Sequence, residues 1–141
     1  MKKRKVLVSA CLLGEKCRYD GKSKPNEKVI ALSEKYELVP VCPEVEGGLS
    51  TPRIPSERVG DRVVMKDGTD VTENYRRGAS IACEACRNNS IDLAIMKARS
   101  PSCGKGEIYD GTFSGILTAG CGVTSEMLIK SGVKVITEEE I

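Results

Sequence analysis

The chain contains no histidine. That absence removes every Ser-His and Cys-His mechanism and every imidazole general base. It also has no tryptophan and one phenylalanine, too little aromatic surface for a base-stacking platform. Neither sign of charge dominates: 22 basic against 20 acidic side chains leave a net +2, which is not the balance of an electrostatic nucleic-acid binder. The opening MKKRK is short and reads as a solvated chain end. No apolar run approaches the roughly 18 residues of a membrane span. VLVSACLL passes directly into the polar GEKCRYDGK without a small-residue cleavage site. Neither G-x-G-x-x-G nor G-x-x-x-x-G-K-[ST] occurs. These absences lead us to expect a cytoplasmic protein that engages no nucleic acid and no membrane.

What the chain does have is cysteine, seven in 141 residues. An odd number in a reducing compartment argues against a disulfide framework and for metal or cluster ligation by some of them. Length and composition suit one domain, 1–141, with no interdomain linker. KVLVSA (5–10) is an apolar run of the kind buried on both faces of a sheet. Residues 28–36 read as a helix with Val29, Leu32 and Tyr36 on one side, and ELVPV (37–41) as a strand whose Pro40 suits an edge or an end. Residues 43–61 carry no periodicity and read as a long loop. RVVM is a short strand before a Lys66-Asp67-Gly68 turn, and Thr72 is placed to cap a helix running to about Asn89. DLAIMKA (92–98), a helix from Val123 to Lys130 ended by Gly132, and VKVIT (133–137) complete the pattern. Alternating strands and helices predict an α/β fold: a small, open, mainly parallel sheet with helices on both faces.

The cysteines fall into two groups on that scheme. Cys11 follows the first strand, Cys42 the second, and Cys103 follows DLAIMKA in the tight loop Arg99-Ser100-Pro101-Ser102-Cys103-Gly104. Parallel strands end on one edge, where ligands bind, so three residues far apart in sequence should converge there. Cys83 and Cys86 instead share the stripe of Tyr75, Ala79 and Ala82, the core side of a helix, where free cysteine packs as a small hydrophobe. A second metal site or a redox pair is the other reading of that C-x-x-C. Cys121, between two glycines, favours neither group, and Cys17 lies close enough to Cys11 to be a fourth ligand.

Three thiolates at an open edge suit a cluster with one free position, since structural zinc takes four closed ligands. Packed thiols beside an anion pocket remain the alternative on spacing alone. Without histidine, a carboxylate must do acid-base work, and Glu44 stands two residues from Cys42. Gly47 and Gly48 would let backbone approach a ligand. Ser100 and Ser102 offer hydroxyl donors beside Cys103, and Arg18, Arg53 and Arg99 can anchor a planar or anionic substrate.

VLVSACLLGEKCRYDG, LVPVCPEVEGGLSTPR, RSPSCGKGEIYDGTFSG and CGVTSEMLIKSGVKVITEEE, in that order from Lys5 to Glu140, resemble the bacterial family known as domain of unknown function 523. Some members of that family are thiouracil desulfidases. The resemblance implies a [4Fe-4S] cluster held by Cys11, Cys42 and Cys103, with Glu44 as catalytic carboxylate and Ser100 as catalytic serine. It implies a non-redox desulfidase in which the sulfur of a thiocarbonyl compound such as a thiouracil meets the free iron. Other readings stay open: a cluster enzyme acting on another thiolated small molecule, or a metal-binding module that senses or stores metal with Cys17 as fourth ligand. A monomer and a homodimer are equally compatible with the sequence.

Overall fold

The computed structural model describes residues 3–141. In chain order it runs β1 (Arg4–Ser9), a 3-10 turn (Ala10–Leu13), α1 (Glu27–Ala31) with a 3-10 turn (Leu32–Glu34), β2 (Tyr36–Val41), α2 (Pro43–Glu46), β3 (Ser56–Val59) and β4 (Arg62–Met65). It continues with α3 (Thr72–Asn88), β5 (Leu93–Met96), β6 (Glu107–Tyr109), β7 (Leu117–Ala119), α4 (Val123–Lys130), β8 (Lys134–Thr137) and a last 3-10 turn (Glu138–Glu140).

Four strands form one parallel sheet in the order β2-β1-β5-β8. Its centre follows from the composition of β1. Successive side chains of a strand point to opposite faces. Val6 and Val8 pack with Leu12, Val29 and Ile95 on the α1 side. Leu7 packs with Ala82, Cys83, Cys86, Met96 and Leu128 on the side of α3 and α4. Both faces are covered, so β1 has no polar alternation to show until Ser9, at the functional edge. Pro40 lies in β2, an edge strand, where a missing amide donor is tolerated. The stripe Tyr75, Ala79, Ala82, Cys83 and Cys86 is buried as its spacing predicts, and Gly132, at φ 90°, lies just past α4. No helix among the described residues is long and apolar enough to cross a membrane.

Three local expectations are corrected. The helix expected over 28–36 closes at Ala31 and tightens into a 3-10 turn, because Tyr36 already belongs to β2 and pairs with Arg4. The loop expected over 43–61 contains α2 and β3. Pro43 at the first helical position and acidic side chains in the first turn favour a helix start there, but one turn is too short to show a period. Thr72 does not cap α3. Its hydroxyl accepts from the Val63 amide at 2.9 Å, tying the helix start to β4, while Asp70 accepts from the Thr72 amide. The sequence also held no signal for the β6–β7 hairpin, whose three-residue strands are largely exposed.

Candidate active site

The strand order places the site. The chain leaves β1 toward β2 on one side and later returns to lay β5 on the other. The carboxyl ends of β1 and β5 therefore flank a crevice, the usual ligand position in an open parallel sheet. A cavity of about 580 Å³ opens there, and Cys11, Cys17, Cys42 and Cys103 all line it, with Glu44, Ser100, Arg18, Arg53 and Arg99. Another hollow, of about 700 Å³, lies between Lys3, Leu13, Ile30 and Tyr36, but it has no cysteine, and its lysines Lys3 and Lys5 are engaged by the Ser33 carbonyl and Glu37.

Each cysteine is held by a different local device. Cys11 sits in the 3-10 turn that ends β1, and its carbonyl accepts from the Gly14 and Lys24 amides at 3.3 and 3.0 Å. That pins the loop carrying Cys17 over the site. Cys42 is the residue immediately before α2, with extended backbone. Its thiol points to the Cys17 carbonyl at 3.7 Å. Cys103 ends a turn in which Ser100 Oγ accepts from the amides of Ser102 and Cys103, each at 3.1 Å. The start of α4 clamps that turn: Thr124 N donates to the Ser102 carbonyl at 2.9 Å and Ser125 Oγ to the Cys103 carbonyl at 2.6 Å. Gly122 is required there, since a Cβ on it would lie 2.4 Å from the Ser102 oxygen.

The remaining expected residues separate into two sets. Arg18 and Arg99 line the cavity, Arg18 stacked 5.8 Å from the Tyr19 ring centre and Arg99 paired with Glu139 at 2.7 Å. Arg53 also lines it, but its guanidinium is only 4% exposed and its donors already reach Glu44, Ser50, Thr51 and Cys17. Ser102 does not reach the cavity: it is fully buried, and its hydroxyl bonds Thr124 at 2.9 Å. Gly47 and Gly48 do not line it either. Gly47 lets α2 lie against α3, where a Cβ would meet the Asn74 oxygen at 2.0 Å.

Two site residues escaped the sequence reading. Tyr75 carries an apolar ring on a core stripe, which hides that its hydroxyl reaches Glu44 Oε1 at 2.8 Å. Lys97 lines the cavity and pairs with Glu138 at 3.1 Å. The sequence reading placed it only within the strand 92–98.

Burial and contacts between thiols disfavour the thiolate form of Cys17, Cys42 and Cys103. Burial pushes Cys103 up to about 12, and the hydrogen bond that the Cys17 thiol donates to Cys11 pushes Cys17 up to about 11. The Cys17 contact, then burial, hold Cys42 far above the ordinary thiol range. Thiols held this high stay protonated unless a thiophilic cation replaces the proton. No three His, Cys, Asp or Glu side chains among the described residues converge on a point that would hold a single ion. An iron-sulfur cubane takes each thiolate on a different iron, so its ligands stand apart around a cavity. The donor set of soft sulfurs alone, spread around one roomy crevice, fits such a cluster better than a lone metal ion.

A model of the 2-thiouracil desulfurase family matches residues 6–140. The chain belongs to that family. An uncharacterized protein, YbbK, of Bacillus subtilis (strain 168) is 41% identical over 146 residues, covering 96% of this chain and 97% of the relative. Among solved structures, the [4Fe-4S]-dependent thiouracil desulfidase TudS superposes with a TM-score of 0.93 at 45% identity, covering 99% of this chain and 93% of that one. The fold and the family expected from the motifs are both borne out.

Proposed function

We propose that this protein is a [4Fe-4S]-dependent desulfidase that replaces the sulfur of a thiouracil-type small molecule by oxygen. The carrying observation is the convergence of Cys11, Cys42 and Cys103 on one cavity that also holds Glu44 and Ser100. Membership of the 2-thiouracil desulfurase family and similarity to TudS support the same reaction. In this reading Cys11, Cys42 and Cys103 hold the cluster. When bound, the cluster supplies an iron without a protein thiolate, a thiophilic Lewis acid for the C=S sulfur.

The chain's own groups do the rest. Glu44 is the general base that takes a proton from the water attacking the thiocarbonyl carbon. Ser100 Oγ already accepts two backbone N–H bonds, so its hydroxyl proton is free to be donated toward charge developing on the substrate. Arg18 and Arg99 add guanidinium donors to the cavity lining for a polar ring, each balanced by its own carboxylate, Asp20 and Glu139.

The test is anaerobic reconstitution with iron and sulfide, followed by iron counting and incubation with 2- and 4-thiouracil. About four irons per chain with release of sulfide and uracil is the expected result. A loaded protein that converts neither compound would overturn the substrate class, and a protein that takes up no iron would overturn the cluster.

A further inference from the structure

Glu44 is gripped by one oxygen. Arg53 Nε and Nη2 donate to Oε1 at 3.2 and 3.1 Å, and the Tyr75 hydroxyl donates to the same Oε1 at 2.8 Å. No hydrogen bond from the described residues reaches Oε2, and the carboxylate lines the cavity with 17% of its side chain exposed. Three donors on one oxygen fix the rotation of the carboxylate and leave the second oxygen without a hydrogen-bond partner among the described residues.

Neither donor has freedom to do anything else. The Tyr75 ring is 1% exposed, on the core stripe of α3. Burial first, and the neighbouring Glu44 charge second, hold its phenol well above its ordinary range, so it remains a donor. Arg53 is 4% exposed, and Nη1 and Nη2 also bond the Ser50 and Cys17 carbonyls at 3.0 Å each. A buried arginine with its fork so occupied braces a neighbour; it has no face left for substrate.

We infer that Arg53 and Tyr75 are positioning residues that hold Glu44 through Oε1 and present Oε2 as the oxygen that takes the proton from water. The inference rests on the reading of Glu44 as the general base. A carboxylate free to rotate would offer either oxygen at a range of angles, and proton abstraction depends on a narrow donor-acceptor geometry.

The experiment compares Tyr75→Phe, Arg53→Lys, Glu44→Gln and the double variant Glu44→Gln/Tyr75→Phe, each anaerobically reconstituted. Tyr75→Phe and Arg53→Lys should keep the parent iron content and KM while kcat falls about ten- to hundredfold, the range of a lost hydrogen bond to a charged group. The double variant should be no slower than Glu44→Gln alone, because Tyr75 acts only through Glu44. In the cluster-free protein, the losses in Tm from Tyr75→Phe and Glu44→Gln should likewise be less than additive. Parental kcat in both Tyr75→Phe and Arg53→Lys, with Glu44→Gln inactive, would overturn the positioning role alone. A fully active Glu44→Gln would overturn the general base, and the positioning role with it.

Discussion

The carbonyl of Pro43 lies against Gly78 so closely that a Cβ on Gly78 would stand 1.8 Å from the Pro43 oxygen. Gly78 sits in the middle of α3, where glycine normally costs about 1 kcal/mol relative to alanine. Here it lets α2 rest on α3, and α2 begins immediately after Cys42 and contains Glu44. Gly78→Ala should therefore lower stability, by about 1–3 kcal/mol as an overpacked contact, and lower the iron retained per chain by moving Cys42. Thermal unfolding and iron counting read both. A gain in Tm, the ordinary outcome of Gly→Ala in a helix, would contradict the packing described here.

Cys17 lines the same cavity as the three strand-end cysteines but arises from the loop after the 3-10 turn, held by Arg53 Nη2 on its carbonyl at 3.0 Å. A three-ligand cluster predicts that Cys17→Ser keeps about four irons per chain. Cys11→Ala, Cys42→Ala and Cys103→Ala should each lose most of them. Retention of iron by Cys103→Ala together with its loss in Cys17→Ser would exchange the two residues' roles.

The site was legible where topology alone determines position. Cys11, Cys42 and Cys103 each follow a strand of one parallel sheet, so their convergence needed no knowledge of side-chain contacts. What stayed hidden were the contacts between distant elements. Tyr75 is 31 residues from Glu44, and its hydroxyl function is invisible in an apolar stripe. Arg53 and Gly47 looked like groups for a ligand, yet one braces Glu44 and the other admits the Asn74 backbone. A glycine that permits helix contact and a glycine that admits substrate have the same sequence signature. Short elements such as α2 and the β6–β7 hairpin escaped because one helical turn or three strand residues carry no period.

Cys83 and Cys86 belong to the core between α3 and the sheet. Burial raises both thiols, Cys86 to about 11. Alkylation requires the thiolate, so about one Cys86 in a thousand is reactive near pH ~8. Labelling of these two in the folded, cluster-free protein should be slow and should accelerate about tenfold per pH unit toward the raised value. Both should label quickly once the chain is denatured. Mass spectrometry after timed alkylation distinguishes the sites; rapid labelling of Cys83 and Cys86 in the folded state would point to an exposed redox pair instead.

Arg58 joins the β3–β4 hairpin to α4, donating to the Cys121 carbonyl at 2.7 Å and to Glu126 at 2.6 Å. The Arg58 hydrogen bond is the main cause that holds the Glu126 carboxyl below its usual 4.5. A depressed carboxyl stabilises the fold above its unfolded value, and that contribution disappears as pH falls through the lower folded value. Glu126 is 39% exposed, so solvent screening limits the contribution to about 1 kcal/mol or less. Glu126→Gln should thus be slightly less stable than the parent at neutral pH and equal to it near pH ~2, with the difference closing below 4.5. Urea unfolding of both proteins across that range measures it. A difference that persists unchanged into acid would mean that the carboxylate charge on Arg58 is not what fastens the hairpin to α4.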